Sequence, residues 1–309
     1  MNKKYVIIVV VLFVWNLSHA NMFEVDTSFS PEVKSPFFTQ HHPIILFDRA
    51  HNNLCVNDGR YDPLLHLLKS DGYELVSLTT SLTSDSLKNV KIFYSSAAQF
   101  PKEDSNLAQA NSAFTEQEMS TIQTWVKQGG SLLLMADHKP IGNDVHPLAS
   151  KFGLTISDGE TSDPQNYLPA LKDTSHLLFS RQSALIKDHP ITSGMSQREM
   201  LNVIVAFCGQ SIKVIDDSEI IFALSPNAVM RFEDESKIPL GPGYAEAVSL
   251  KYGKGKVVVF GDGTVFTSKI HIAKQEKEGM NRTDIDNVQL AINTFRWLAG
   301  AFDDYPKMR

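Results

Sequence analysis

The feature that most constrains this chain is a set of short, nearly continuous apolar runs, each ending in a polar residue. "PIILFD" (43–48), "SLLLMAD" (131–137) and the "KVVVFGD" part of "GKGKVVVFGDGTVF" (253–266) are the clearest. A strand with one wet face alternates apolar and polar residues, whereas these runs do not alternate. They predict strands buried on both faces, as in the parallel sheets of α/β proteins. "ELVSLT" (74–79) and "VKIFYSS" (90–96) read as further strands, and "PLLHLLKSDGY" (63–73) as a helix stopped by Gly72. Strand, helix and strand in that rhythm predict crossover helices on a parallel sheet.

One helix is marked in detail. Thr115 and Glu118 fit a capping box, and Phe114 and Met119 occupy the positions of a hydrophobic staple. Met119, Ile122, Trp125 and Val126 form its apolar face, and Gly129-Gly130 ends it before "SLLLMAD". In the second half, "HPLASKFGL" (146–154) predicts a short helix, and 157–182 reads as irregular and polar. "LNVIVAF" (201–207), "EIIFALS" (219–225), "NAVMRFE" (227–233) and "AEAVSLKYG" (245–253) read as strands. A last helix starts near Asp284, with Val288, Ala291, Ile292, Phe295 and Leu298 on its inner face.

The first twenty residues predict a signal peptide: Lys3 and Lys4, an apolar run from Val6 to Trp15, and a small-x-small end at Ser18 and Ala20. The run is short for a membrane span of about 20 residues. Cleavage after Ala20 leaves 27 basic residues against 35 acidic, a net charge of −8 instead of −6. The mature chain is therefore expected to be periplasmic or secreted, with no membrane span. Its acidity and lack of a basic stripe argue against a nucleic-acid partner. An oxidising compartment would permit one disulfide between Cys55 and Cys208; two buried free thiols are the alternative. Residues 21–42 read as an extended lead-in, 43–300 as a single α/β domain and 301–309 as a tail.

Several of these stretches carry a family resemblance. "ILFDRAHNN" (45–53), "DGRYDPLLHLL" (58–68), "FTEQEMSTIQTWVKQGGSLLLMADH" (114–138), "HPIT" (189–192), "KGKVVVFGDGTVFT" (254–267) and a closing helix ending "WLAG" resemble a DUF4350-like bacterial family. That family is similar to the class I glutamine amidotransferase-like fold, with relatives among gliding-motility ABC-type, trehalose-utilisation-like and intraflagellar-transport proteins. The resemblance covers about residues 43–300. It implies a flavodoxin-like parallel sheet with helices on both faces and additional strands in the C-terminal half. In amidotransferases of this fold a cysteine sits on the turn after the strand matching "SLLLMAD", and a His and a Glu come from a later strand end. Here those places hold Ala136, Asp137 and His138, then Gly261 and Asp262. The resemblance therefore implies the fold and the location of a site, without glutamine hydrolysis through a cysteine.

Parallel α/β sheets bind ligands at the carboxyl ends of their strands. The residues there are Asp48, followed by His51, Asn52 and Asn53; Asp137 and His138; and Asp262. Nearby loops add Asp58, Arg60, His146 and Asp188-His189. Asp48, His51, Asp137, His138 and Asp262 form the candidate catalytic pocket. Carboxylate and imidazole together suit a Zn²⁺- or Mn²⁺-dependent hydrolytic centre, or a metal-free general base oriented by a carboxylate. Each of these residues could instead cap a helix or hold a loop. Arg60, Asn52 and Asn53 are candidate ligand-binding residues. "YGKGKVVVFGDG" lacks the order of a phosphate loop, and the sequence names no cofactor. Two functions stay open: an envelope domain binding a small molecule or protein, and a hydrolase acting on a glycan or other envelope substrate.

Overall fold

A computed structural model describes residues 22–53, 56, 58–100, 112–138, 142–215 and 218–303. The expected signal peptide, Cys55, most of the 97–113 loop and the end of the tail lie outside these residues. The strands are β1 (Phe23–Val25), β2 (Ile44–Asp48), β3 (Glu74–Leu78), β4 (Val90–Ser96), β5 (Ser131–Met135), β6 (Thr155–Ser162), β7 (His176–Ser180) and β8 (Val203–Phe207). They continue as β9 (Gln210–Lys213), β10 (Ser218–Ala223), β11 (Val229–Arg231), β12 (Lys237–Pro239), β13 (Tyr244–Tyr252), β14 (Gly255–Phe260), β15 (Ser268–His271) and β16 (Glu276–Gly279). The α-helices are α1 (Asp62–Ser70), α2 (Glu116–Gln128), α3 (His146–Ser150), α4 (Pro190–Ser193) and α5 (Asn287–Ala299).

The main sheet is mixed. Five strands run parallel in the order β3-β2-β4-β5-β14. Beyond β14 the partners turn antiparallel, through β13 and β9 to β6, β11 and β12, with β10 also on β13. The continuous apolar runs are explained by two cores, one on each face. Ile45, Phe47, Leu133, Met135, Val258 and Phe260 pack with α1 and α5. Leu46, Leu132, Leu134, Val257 and Val259 pack with α2 and α3 on the other side. A side chain on either face of these strands therefore leaves water, and alternation has no role. No helix of the described residues is long and apolar enough to cross a membrane.

The glycines of "YGKGK" serve this sheet. Gly253 has φ +60° in the two-residue turn that joins β13 to β14. A Cβ on Gly255 would lie 2.1 Å from the carbonyl oxygens of Val126 and Gly130. The α2 capping box is present: Thr115 Oγ1 accepts from the Glu118 amide, and Glu118 accepts from the Thr115 amide.

The second half departs from the sequence reading. Residues 157–182 contain β7 and most of β6 rather than irregular chain. Their pairing is antiparallel, and β6 buries Thr161 and Ser162 where an apolar signal would be sought. The helix at 146 stops at Ser150. The last helix starts at Asn287, and Asp286 just before it takes the amides of Asn202 and Val203 on its carboxylate. Within the lead-in, β1 pairs with β15 in a small three-stranded sheet.

Candidate functional site

The five candidate residues fall into two groups. Asp48 ends β2, and its Oδ1 accepts from the Ala50 amide at 3.1 Å and meets His51 Nδ1 at 2.8 Å. Its Oδ2 accepts from Ser95 Oγ at 2.6 Å, with Asn53 Nδ2 at 3.5 Å. The other ring nitrogen of His51 faces Glu118 Oε1 at 3.3 Å. Burial opposes charge on His51, but Asp48 and Glu118 outweigh it and raise its pKa above the usual imidazole value. Glu118 also takes the Leu82 amide, so it caps α2, holds a loop and faces His51 at once. This group ties the β2 turn to α2. Asn53 is buried and donates to the Ser96 carbonyl at 2.8 Å, while Asn52 is exposed at φ +48° with a 3.4 Å contact to the Gln99 carbonyl.

The second group lies at the ends of β5 and β14. Asp137 Oδ1 accepts from both the His138 amide (2.7 Å) and His138 Nδ1 (2.6 Å). That bond raises the His138 pKa against the opposing effect of burial, with further help from Asp137 and Glu160. The His138 side chain is 41% exposed, and among the described residues its Nε2 has no hydrogen-bond partner. A Cβ on Gly142 would stand 1.8 Å from the Asp137 carbonyl oxygen, so this turn closes only over glycine. Asp262 accepts the amides of Phe207 (2.6 Å) and Thr264 (2.7 Å). Burial first, and then Asp137, lift its pKa to about 7 in spite of those amides. Glu246 on β13 is buried beside both, and among the described residues neither of its carboxyl oxygens has a partner. Among the described residues no hydrogen bond joins the Asp48–His51 pair directly to the Asp137–His138 pair.

The loop residues are largely engaged locally. Arg60 Nε meets Asp58 Oδ2 at 2.9 Å. His146 Nε2 meets Gln210 Oε1 at 3.1 Å, and Asp188 pairs with Arg181. His189 is buried, accepts from the Ile191 amide and contacts Ser249 Oγ; burial pushes its pKa down to about 4. Asn281, first residue of an Asn-Arg-Thr triplet, is buried and donates to Asp26 and the Lys269 carbonyl. A proton NMR titration should therefore show His51 and His138 protonating above pH 6.5 and His189 protonating last, near pH 4. A His189 ring that titrates before the other two would refute this assignment of their surroundings.

A third cluster has no counterpart among the candidates read from the sequence. β7 and β8 pair antiparallel with His176 opposite Phe207, which sets Cys208 beside Ser175, Oγ to Sγ 3.2 Å. One donor atom each from Asp173, His176 and Cys208 lies within 4.8 Å of the other two. Among the described residues this is the His/Cys/Asp/Glu group close enough to hold a cation, and it contains none of the five candidates. Cys208 is a free thiol with φ +71°, and burial pushes its pKa up. The cluster adjoins the second group: Phe207 donates to Asp262, and the charges of Glu160 and Lys269 reach both His138 and Cys208. The signal was present in "FCG", a Cys-Gly at the end of an apolar strand. An open cleft of about 430 Å³ lies alongside, lined by Asp158, Glu160, Glu233, Asp234, Glu235 and Arg231.

Fold and site together define a mixed α/β protein with polar strand ends and no cysteine on the β5 turn. No protein-family profile matches the chain, and no curated protein does. Among solved structures it is similar to the mmIFT52 N-terminal domain, at 16% identity over 82% of this chain and 97% of that one, with a TM-score of 0.57. A ThuA-like protein from Bacteroides uniformis matches at 14% identity over 87% of this chain and 94% of its own, TM-score 0.45. A protein named for a GMP synthase, from Thermoplasma acidophilum, matches at 10% identity over 86% of this chain and 98% of its own, TM-score 0.43. The first likeness is one of fold alone, and the other two carry no argument.

Proposed function

We propose that this chain is an exported, non-amidotransferase binding domain of the DUF4350-like kind, taking a small-molecule or protein ligand of the cell envelope. The parallel order β3-β2-β4-β5-β14 is the second-first-third-fourth-fifth order of a flavodoxin-like sheet, which supports that finer reading. The observation that carries the binding function is the use of the strand-end acids. Asp48 and Asp262 accept backbone amides, and Asp137 holds its own turn, so these carboxylates brace the fold. The adjacent acidic cleft suits a ligand bearing positive charge.

A second reading rests on His138. An imidazole oriented by a carboxylate through Nδ1, with its other nitrogen open, is the arrangement of a general base in a hydrolase.

The test is calorimetric titration of residues 21–309 with a polyamine and an oligolysine peptide, beside a panel of chromogenic glycosides and esters. Saturable binding that weakens in high salt and in Glu233→Gln/Glu235→Gln supports the binding domain. Turnover that is lost in His138→Ala, without ligand binding, replaces it with the hydrolase. The export half of the proposal is read separately, by intact mass of the protein from the periplasmic fraction: loss of residues 1–20 is expected, and retention overturns it.

A further inference from the structure

We propose that Asp173, His176 and Cys208 form a binding site for a Zn²⁺-class divalent cation, separate from the five strand-end candidates. Thiolate sulfur, imidazole nitrogen and carboxylate oxygen are the three donor types zinc accepts, and three protein ligands leave a fourth position for water or substrate. Their donor atoms lie within 4.8 Å of one another. In a tetrahedral site with Zn–S of about 2.3 Å and Zn–N of about 2.0 Å, donors sit roughly 3.3–3.8 Å apart. Closing the difference takes about an ångström of side-chain movement.

A second observation points independently to a ligand. His176 is only 5% exposed, yet among the described residues its Nδ1 has no hydrogen-bond partner. A buried polar atom left alone is costly, and such atoms in native structures call for a reason. The opposite nitrogen, Nε2, faces Glu278 Oε1 at 3.8 Å, and Glu278 is itself held by Lys269 at 3.1 Å. A ligating histidine typically turns its other ring nitrogen to a carboxylate, which fixes the ring and its tautomer. Glu278 is in place for that, leaving Nδ1 for the metal. Asp173 is anchored through Oδ1 by the Ser175 amide and hydroxyl, so it is held in position. Cys208 is held as well, by the hydrogen bond its backbone N–H donates to the Ser175 carbonyl at 3.1 Å. On binding, the thiol releases its proton to solvent as the Zn–S bond forms.

The experiment titrates the purified, reduced protein with Co²⁺ alone and follows its absorption, then displaces Co²⁺ with Zn²⁺. One equivalent of Co²⁺ should bring up a thiolate-to-cobalt charge-transfer band that Zn²⁺ abolishes. The band should vanish in Cys208→Ser, persist in Cys55→Ser, and require at least about tenfold more Co²⁺ in His176→Gln. Circular dichroism of each variant checks that it is folded, and Asp173→Asn, expected to weaken binding likewise, replaces any variant that is not. No band in the parent protein, or a band that survives in folded Cys208→Ser, overturns the site.

Discussion

Glu246→Gln should gain stability relative to the parent as pH rises from the ordinary carboxyl value toward the raised folded-state one, by at most about 1.4 kcal/mol per pH unit. Glu246 is 1% exposed, its carboxyl oxygens have no partner among the described residues, and Asp262 and Asp137 lie close by. Burial first, and those two acids second, hold its pKa well above the ordinary 4.5. The unfolded chain ionises Glu246 near 4.5, while the folded chain keeps the proton. Between those two values the native state binds more protons than the unfolded state, so the stability contributed by this group is full at low pH and falls as pH rises. Glutamine keeps the size and cannot ionise, which removes that slope. A buried amide without partners has its own cost of about 1–3 kcal/mol. That cost does not depend on pH, so the slope and not the offset is the test. Urea unfolding of parent and variant at pH 5, 6 and 7 measures it; a difference that stays constant with pH refutes the prediction.

Arg296→Ala should cost about 3–5 kcal/mol, because it strands a buried carboxylate. Arg296 on α5 donates to both oxygens of Asp71, at 2.8 and 2.6 Å, and to Glu199 at 2.9 Å, and its guanidinium lies over the Phe37 ring. Asp71 is 1% exposed and also accepts the Phe37 amide. The cluster therefore fastens α5 to the end of α1 and to the lead-in chain. Removing the fork leaves Asp71 charged and without its cation. Arg296→Lys should recover only part of the loss, since an ammonium cannot make the two parallel bonds. Arg296→Ala with Asp71→Ala should cost less than the two single losses added together. Denaturant unfolding decides: a drop below about 1 kcal/mol in Arg296→Ala would show that the pair is dispensable.

How much of the site was legible follows from how local each signal is. Asp48, Asp137, His138 and Asp262 could be placed because a continuous apolar run marks a strand and its last polar residue marks the strand's end. Their separation into two groups could not. It depends on β4 lying between β2 and β5 in the sheet, and on Glu118, which the sequence assigns to a helix cap, also meeting His51. Glu246 lies in "AEAVSLKYG", which reads simply as a strand; the tertiary fold buries it beside Asp262 and Asp137.

The sequence by itself determined the five parallel strands, the capped start of α2, the turn glycines and the absence of a cysteine after β5. These depend on side-chain period, capping and backbone sterics within a few residues, which physics reads locally. Only the tertiary structure decided the antiparallel half, the burial of Glu246 and the meeting of Asp173, His176 and Cys208. That meeting is set by the register of β7 against β8, and register is a property of two distant segments: a shift of one residue would turn each side chain to the other face and disperse the cluster.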